Sequence, residues 1–414
     1  MATISPPAAY TTAPRDTARA AATVRDPRLD FFRGIAMYII LIAHIPGNPW
    51  TGWIPARFGF SDATEIFVFC SGMASAIAFG GAFARRGWAL GSARVMYRVW
   101  QVYWAHLGLF FFVAMSMALL TQYGGGKDYI GSLNLHFFFN ETAQQLVGLF
   151  TLTYVPNYFD ILPMYLVVLA MMPVVMALAV LSRWAVAVFV VAVWLGASAG
   201  LLSFPAEPWS DREWFFNPFG WQLLFFTGFA FMIGWLPPPP VSKPLIALAV
   251  AYVVLSAPIG SWKVFLWVDG AFPDLGETLR AVWREIRLFQ DDTGFSVREK
   301  TDFGVLRYVH FLALAYLAWL CAGAGGRHLT ALAHGAWGAA GRLPLAVISK
   351  VGQQSLAVFV TSMALARLLG FVLDQTGRDG WPVVAVNLGG FVLISATAYG
   401  VGWFKTQPWR SKRP

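Results

Sequence analysis

Arg33 and His44 stand eleven positions apart in the otherwise apolar stretch 29–45, LDFFRGIAMYIILIAHI. In a helix, eleven residues make almost three turns, so the two side chains share one face, about 16 Å apart along the axis. Asp30 falls within about 40° of that face by the same period. Ionisable groups inside a membrane helix are costly to bury and point to function. Ser61 or Asp62 can cap the next helix, and Asp62 with Glu65 has the offset of a capping box. The connection between the two helices, PGNPWTGWIP from Pro46, consists of turn residues and interfacial tryptophans, so two carboxylates come near the histidine. Asp160, Asn217, Gln222, Arg307 and His310 map to helix ends on that same expected side. Acids, bases and amides gathered at one depth have the makings of a reaction or binding site. The same residue types in a line also suit a proton relay in a coupled transporter.

Each residue has a plainer structural reading as well. His44 suits an interfacial histidine bonded to a loop carbonyl, and Asp62 with Glu65 suits a simple cap. Arg33 suits a side chain snorkelling to headgroups, while Arg85, Arg86, Arg94 and Arg98 suit topology determinants. His106, His136, His328 and His334 have no companion spacing. HExxH, P-loop and Rossmann patterns are absent from the sequence.

The elements that must position these groups follow from composition. Of 414 residues, 57% are hydrophobic and only 12% charged, half the charge of a typical soluble domain. The expected class is therefore an all-α, polytopic membrane protein. Ten apolar spans are expected, at 29–46, 62–83, 97–120, 159–180, 183–202, 218–236, 243–258, 304–323, 351–373 and 381–404. They form a single transmembrane domain over 29–404. Residues 1–28 read as a mobile tail without the apolar core of a signal peptide, and 405–414 as a basic tail. Lys and Arg concentrate in alternate connections, which puts both termini in the cytoplasm, Arg33 near that face and His44 towards the other. This distribution also explains the net charge of +9 without nucleic acid. Cys70 and Cys321 lack the spacing of a disulfide framework or a metal site, and no metal is expected. A tetraproline at 237–240 makes a stiff connector. The long loop 259–303 carries a surface helix around 275–290, and no internal repeat is visible.

Several of these segments are familiar together. Arg33-x10-His44 resembles the first-helix signature of the membrane acyltransferase-3 superfamily. RLDFFRGIAMYIILIAHIPGNPW from Arg28, FGFSDATEIFVFCSG from Phe58, PNYFDILPMY from Pro156, FFNPFGWQLLFFTG from Phe215, LRYVHFLALAYL from Leu306 and GQQSLAVF from Gly352 are similar to segments of the OpgC-type family. That family succinylates osmoregulated periplasmic glucans. The resemblance covers most of the chain from about residue 25 to 370, but not the Ala-rich tail or the loop 259–303.

The resemblance implies a multi-pass protein of the bacterial inner membrane with succinyl-CoA as co-substrate, a periplasmic glucan as acceptor and no permanently bound cofactor. It implies that Arg33, Arg85, Arg86, Arg94 and Arg98 meet the CoA phosphates, which suit arginine by geometry and permanent charge. His44 would be the general base that takes a proton from a sugar hydroxyl. Asp62 or Glu65 would orient it as the third member of a triad does. Arg307, His310 or Asn217 would hold the oxyanion or the succinyl carboxylate, with Arg307 the candidate for the carboxylate. Asn157, Asp160 and Gln222 would bind sugar hydroxyls, and Asp30 would belong to the substrate path along the first helix. An acyl-enzyme on His44, Ser61 or Ser71 is an open alternative, as is an acetyl donor. A proton-coupled transporter or flippase and a non-catalytic membrane partner are the competing classes.

Overall fold

The computed structural model describes residues 26–334 and 338–410. Nearly all of the expected N-terminal tail and the C-terminal Lys412 and Arg413 lie outside the described residues. Seventeen α-helices make up the described chain. In order they are α1 (Pro27–His44), α2 (Ala63–Ser75), α3 (Gly81–Tyr123), α4 (His136–Asn140), α5 (Thr142–Thr151), α6 (Ile161–Ala170), α7 (Met172–Leu181), α8 (Arg183–Ser198) and α9 (Pro218–Ile233), then α10 (Lys243–Gly260), α11 (Trp262–Ala271), α12 (Pro273–Thr293), α13 (Val305–Ala322), α14 (Arg327–His334), α15 (Gly338–Gln353), α16 (Ser355–Thr376) and α17 (Gly380–Lys405). Among the described residues there is no β-strand, only an isolated bridge between Pro205 and Glu213.

Among the described residues six stretches are long and apolar enough to cross a membrane: Ala63–Tyr123, Ile161–Leu181, Lys243–Gly260, Val305–Ala322, Ser355–Thr376 and Gly380–Lys405. The first holds two of the spans read from the sequence, joined by a π-helical turn at Ala76–Gly80. The basic connection expected at 85–94 is helical, broken only at Gly87, whose φ of 79° is open to glycine at little cost. Trp88, Ala89 and Leu90 after it are helix-compatible, so the chain bends there and does not loop. The helices α8 and α9 are shorter apolar helices, and α1 carries Arg28, Asp30 and Arg33 in its first two turns.

Proline at the first turn of α1 and the Asp26 carboxylate, accepting the Arg28 N–H at 2.9 Å, start that helix. Its buried face, with Leu29, Ala36, Met37, Ile40 and Leu41, lies against α2, α15 and α16. Contact with α15 is backbone-close. A Cβ at Gly34 would fall 2.0 Å from the Ile348 carbonyl oxygen, and one at Gly352 would fall 1.9 Å from that of Asp30. The sequence had assigned 324–350 to a connection. The α15 helix instead packs along α1, because glycines at the crossing replace the long apolar run that would have announced a core helix. The same device joins α2 to α9, where Gly72 meets the Phe225 carbonyl and Gly228 that of Phe69.

Side-chain pairs fix the directions. Asp62 and Lys300 act electrostatically on His44, whereas Arg33 and Asp30 act on Cys70 in α2, so α1 and α2 run antiparallel. At the His44 end, α16 finishes near Pro46, whose carbonyl accepts from Arg378. At the other end Ser355, which opens α16, bonds Arg33. The bundle thus has a His44 end and an Arg33 end. Over the His44 end lies the 259–303 segment, whose amphipathic helix α12 covers the region expected as a surface helix.

Candidate functional site

The imidazole of His44 is set by its own helix. Its Nδ1 lies 2.7 Å from the Ile40 carbonyl oxygen. A carbonyl only accepts, so Nδ1 carries the hydrogen and Nε2 keeps its lone pair. Among the described residues Nε2 has no hydrogen-bond partner, and the ring is only half-buried. The group that orients the imidazole is therefore a backbone carbonyl, in place of the carboxylate that the resemblance implies. The helix ends just beyond, at the extended Ile45, which leaves the ring at the helix tip, in a T-shaped contact with the Tyr158 ring, centroids 5.5 Å apart.

Asp62 acts on this ring electrostatically without bonding it, and Glu65 follows it in the first turn of α2. Asp62 caps α2, accepting the Thr64 N–H at 2.6 Å, and the Glu65 carboxylate accepts the Asp62 N–H at 2.8 Å, which completes the capping box read from the sequence. Each carboxylate also takes a cation from distant sequence: Asp62 pairs with Lys300, and Glu65 with Arg307 at 2.7 Å. Glu65 is fully buried and Arg307 nearly so. One turn further on α13, His310 Nδ1 lies 2.8 Å from the Ser61 hydroxyl, and its Nε2 is buried without a partner against Gly59. Lys300 belongs to the long loop 259–303, which the resemblance does not cover.

Two further residues of this end were not anticipated. Tyr158 has a φ of +88°, a strained conformation for a non-glycine residue. Its hydroxyl donates to the Met363 carbonyl, and the Arg367 guanidinium lies over its ring at 4.0 Å. Arg367 acts electrostatically on His44 as well. It stands in the middle of the apolar α16, and the rule that singled out Arg33 and His44 would have found it.

The other expected residues divide between the two ends. Asp160 is buried before α6, accepting the Phe215 N–H at 3.3 Å, and burial pushes its carboxyl up to about 6, against the opposing charge of Arg212. Asn157 is exposed, and its side-chain oxygen accepts from Arg212 at 3.1 Å. Asn217 caps α9 and donates to the Leu202 carbonyl and the Asp302 carboxylate. Gln222 is buried and donates to the Val190 carbonyl, with its own side-chain oxygen unpartnered. Asn217 and Gln222 therefore tie α8, α9 and the 302 region together.

At the opposite end, Asp30 accepts from Gln353 at 3.2 Å beside Arg33 and Ser355. The chain continues fifteen residues past Cys70 to Arg85, so Arg85, Arg86 and Arg94 lie at the Arg33 end, all exposed. Arg98 donates to Gln101 at 3.1 Å.

A family model described as OpgC protein matches residues 25–406, nearly the whole chain, and the chain belongs to that family. No curated protein and no solved structure matches it.

Proposed function

We propose that this chain is a membrane O-acyltransferase that moves a succinyl group from cytoplasmic succinyl-CoA to hydroxyls of a periplasmic glucan. It would work in the bacterial inner membrane with its Arg33 end towards the cytoplasm. The observation that carries this reading is the state of His44, whose Nδ1–H is tied to Ile40 while Nε2 stays open at the tip of a helix with cations at its other end. A base needs that tautomer and that access. Family membership supplies the reaction class.

In the proposed reaction Nε2 takes the proton of a sugar hydroxyl as its oxygen attacks the thioester carbonyl. The tetrahedral intermediate collapses with cleavage of the C–S bond. The new ester keeps the acyl group, and the CoA thiolate takes a proton and leaves as the thiol. Asp62 favours the transient imidazolium through space and is held in place by Lys300, while Glu65 is fixed by Arg307. Arg33, Arg85, Arg86 and Arg94 offer the fixed positive charge that CoA phosphates need.

The test uses the purified protein in nanodiscs with labelled succinyl-CoA and a neutral periplasmic glucan, alongside His44→Ala. Label moving to the glucan with the wild type and not with the variant is the expected result. Transfer by both would remove His44 from the chemistry. A folded wild type that consumes no acyl-CoA would favour a transporter or a non-catalytic partner.

A further inference from the structure

Of the two cations that act on His44, Lys300 and Arg367, only Lys300 has an acid partner among the described residues. Lys300 is held by Asp62 and Arg307 by Glu65. Arg367 has no such partner: no carboxylate lies within ion-pair distance among the described residues, and no Asp or Glu is among the groups that act on it. Its Nε is buried without a hydrogen bond. It stands twelve residues from the Ser355 end of α16 and nine from the Thr376 end, in the otherwise apolar run Met363–Leu373. An arginine there, uncompensated by any acid, is costly. The tyrosine ring beneath it offsets part of that cost, and the ring is kept in place by the strained backbone of Tyr158 and its bond to Met363.

We propose that Arg367 is the receptor for the distal carboxylate of the donor's acyl group, and so selects a dicarboxylic over a simple acyl donor. This rests on the acyltransferase reading above. Tyr158 contacts both groups, its ring centre 4.0 Å from the Arg367 guanidinium carbon and 5.5 Å from the centre of the His44 ring. The two methylenes of a succinyl group span a comparable length, so a carboxylate on Arg367 leaves the thioester carbonyl near His44. Arg307, the residue expected from the sequence for this task, already has its charge satisfied by Glu65. A guanidinium offers a carboxylate two parallel N–H donors, which a neutral group of the same shape cannot use.

The experiment compares succinyl-CoA with succinamoyl-CoA, in which a primary amide replaces the carboxylate, and with acetyl-CoA, for the wild type and Arg367→Gln in nanodiscs. The wild type is expected to prefer succinyl over succinamoyl by about 100-fold in kcat/KM. Arg367→Gln is expected to abolish that preference, read as the ratio of the two kcat/KM values so that any common change through His44 cancels, and Arg367→Lys to keep part of it. A wild type indifferent to the carboxylate overturns the proposal without recourse to any variant. Equal loss for all three donors in Arg367→Gln overturns it too, and would move the residue to the oxyanion or to the scaffold. If the wild type transfers no acyl group from any donor, the failure lies in the acyltransferase reading and takes this inference with it.

Discussion

The two ends of α1 solve opposite electrostatic problems. At the His44 end two acids hold cations across the helices, Glu65 with Arg307 almost out of solvent and Asp62 with Lys300 partly so. At the Arg33 end Arg85, Arg86 and Arg94 are exposed, with no carboxylate at ion-pair distance among the described residues. Buried pairs hold a geometry and screen poorly, whereas exposed unpaired cations attract a polyanion and respond to salt. The first arrangement suits bond-making, the second the capture of a phosphorylated donor. Substitutions at the two ends should therefore fail in different ways.

The sharpest division is expected from His44→Ala. Loss of a general base costs about 10²–10⁴-fold in rate, and the loss should fall on kcat with the donor KM little changed. A rise in donor KM with kcat intact would place His44 in binding and erase the contrast between the ends.

Glu65→Ala should be the largest change in stability. It strands Arg307 in a nearly buried site, and breaking one side of such a pair costs about 3–5 kcal/mol. Adding Arg307→Met should recover most of that loss in a thermal or denaturant melt in detergent, because the uncompensated charge goes with it. Losses that simply add would mean that the two side chains do not depend on each other.

Much of this arrangement is legible in the sequence where physics is local. The apolar runs, the Asp62–Glu65 capping box and the amphipathic helix α12 all follow from spacing within one element. What was not legible depends on meetings between distant residues. Nothing near Lys300 announces Asp62, 238 positions away. The carbonyl that orients His44 carries no side-chain signal at all. The packing of α15 on α1 rests on two glycines whose role appears only when the backbones touch. Arg367 is the exception, because a lone arginine in an apolar run was there to be read.

Asp160, like Arg367, has no ion-pair partner among the described residues, and it gives a pH test. Its carboxyl is raised from the ordinary 3.8 to about 6, mainly by burial. An acid whose folded pKa is raised contributes its full stability below the ordinary value and loses it as pH rises through the folded one. Asp160→Asn stays neutral throughout and its side-chain oxygen can still accept from Phe215. The variant should therefore gain on the wild type as pH climbs from about 4 to about 7, by an amount on the order of 2 kcal/mol. A melting-temperature difference that stays flat over that window would mean that Asp160 is solvated as an ordinary carboxylate.

The smallest effect belongs to the exposed end, and it is the one most specific to the comparison. Replacing Arg85, Arg86 and Arg94 together by Gln should leave the fold and kcat intact, because none of the three is buried or holds an ion pair. The donor KM should rise about tenfold at low ionic strength, and the difference should shrink as salt is added. His44→Ala and Glu65→Ala should show no such salt dependence, since their charges act within a few ångströms and away from solvent. A KM unchanged by the triple substitution would leave Arg33 as the phosphate contact and reduce the three exposed arginines to determinants of topology.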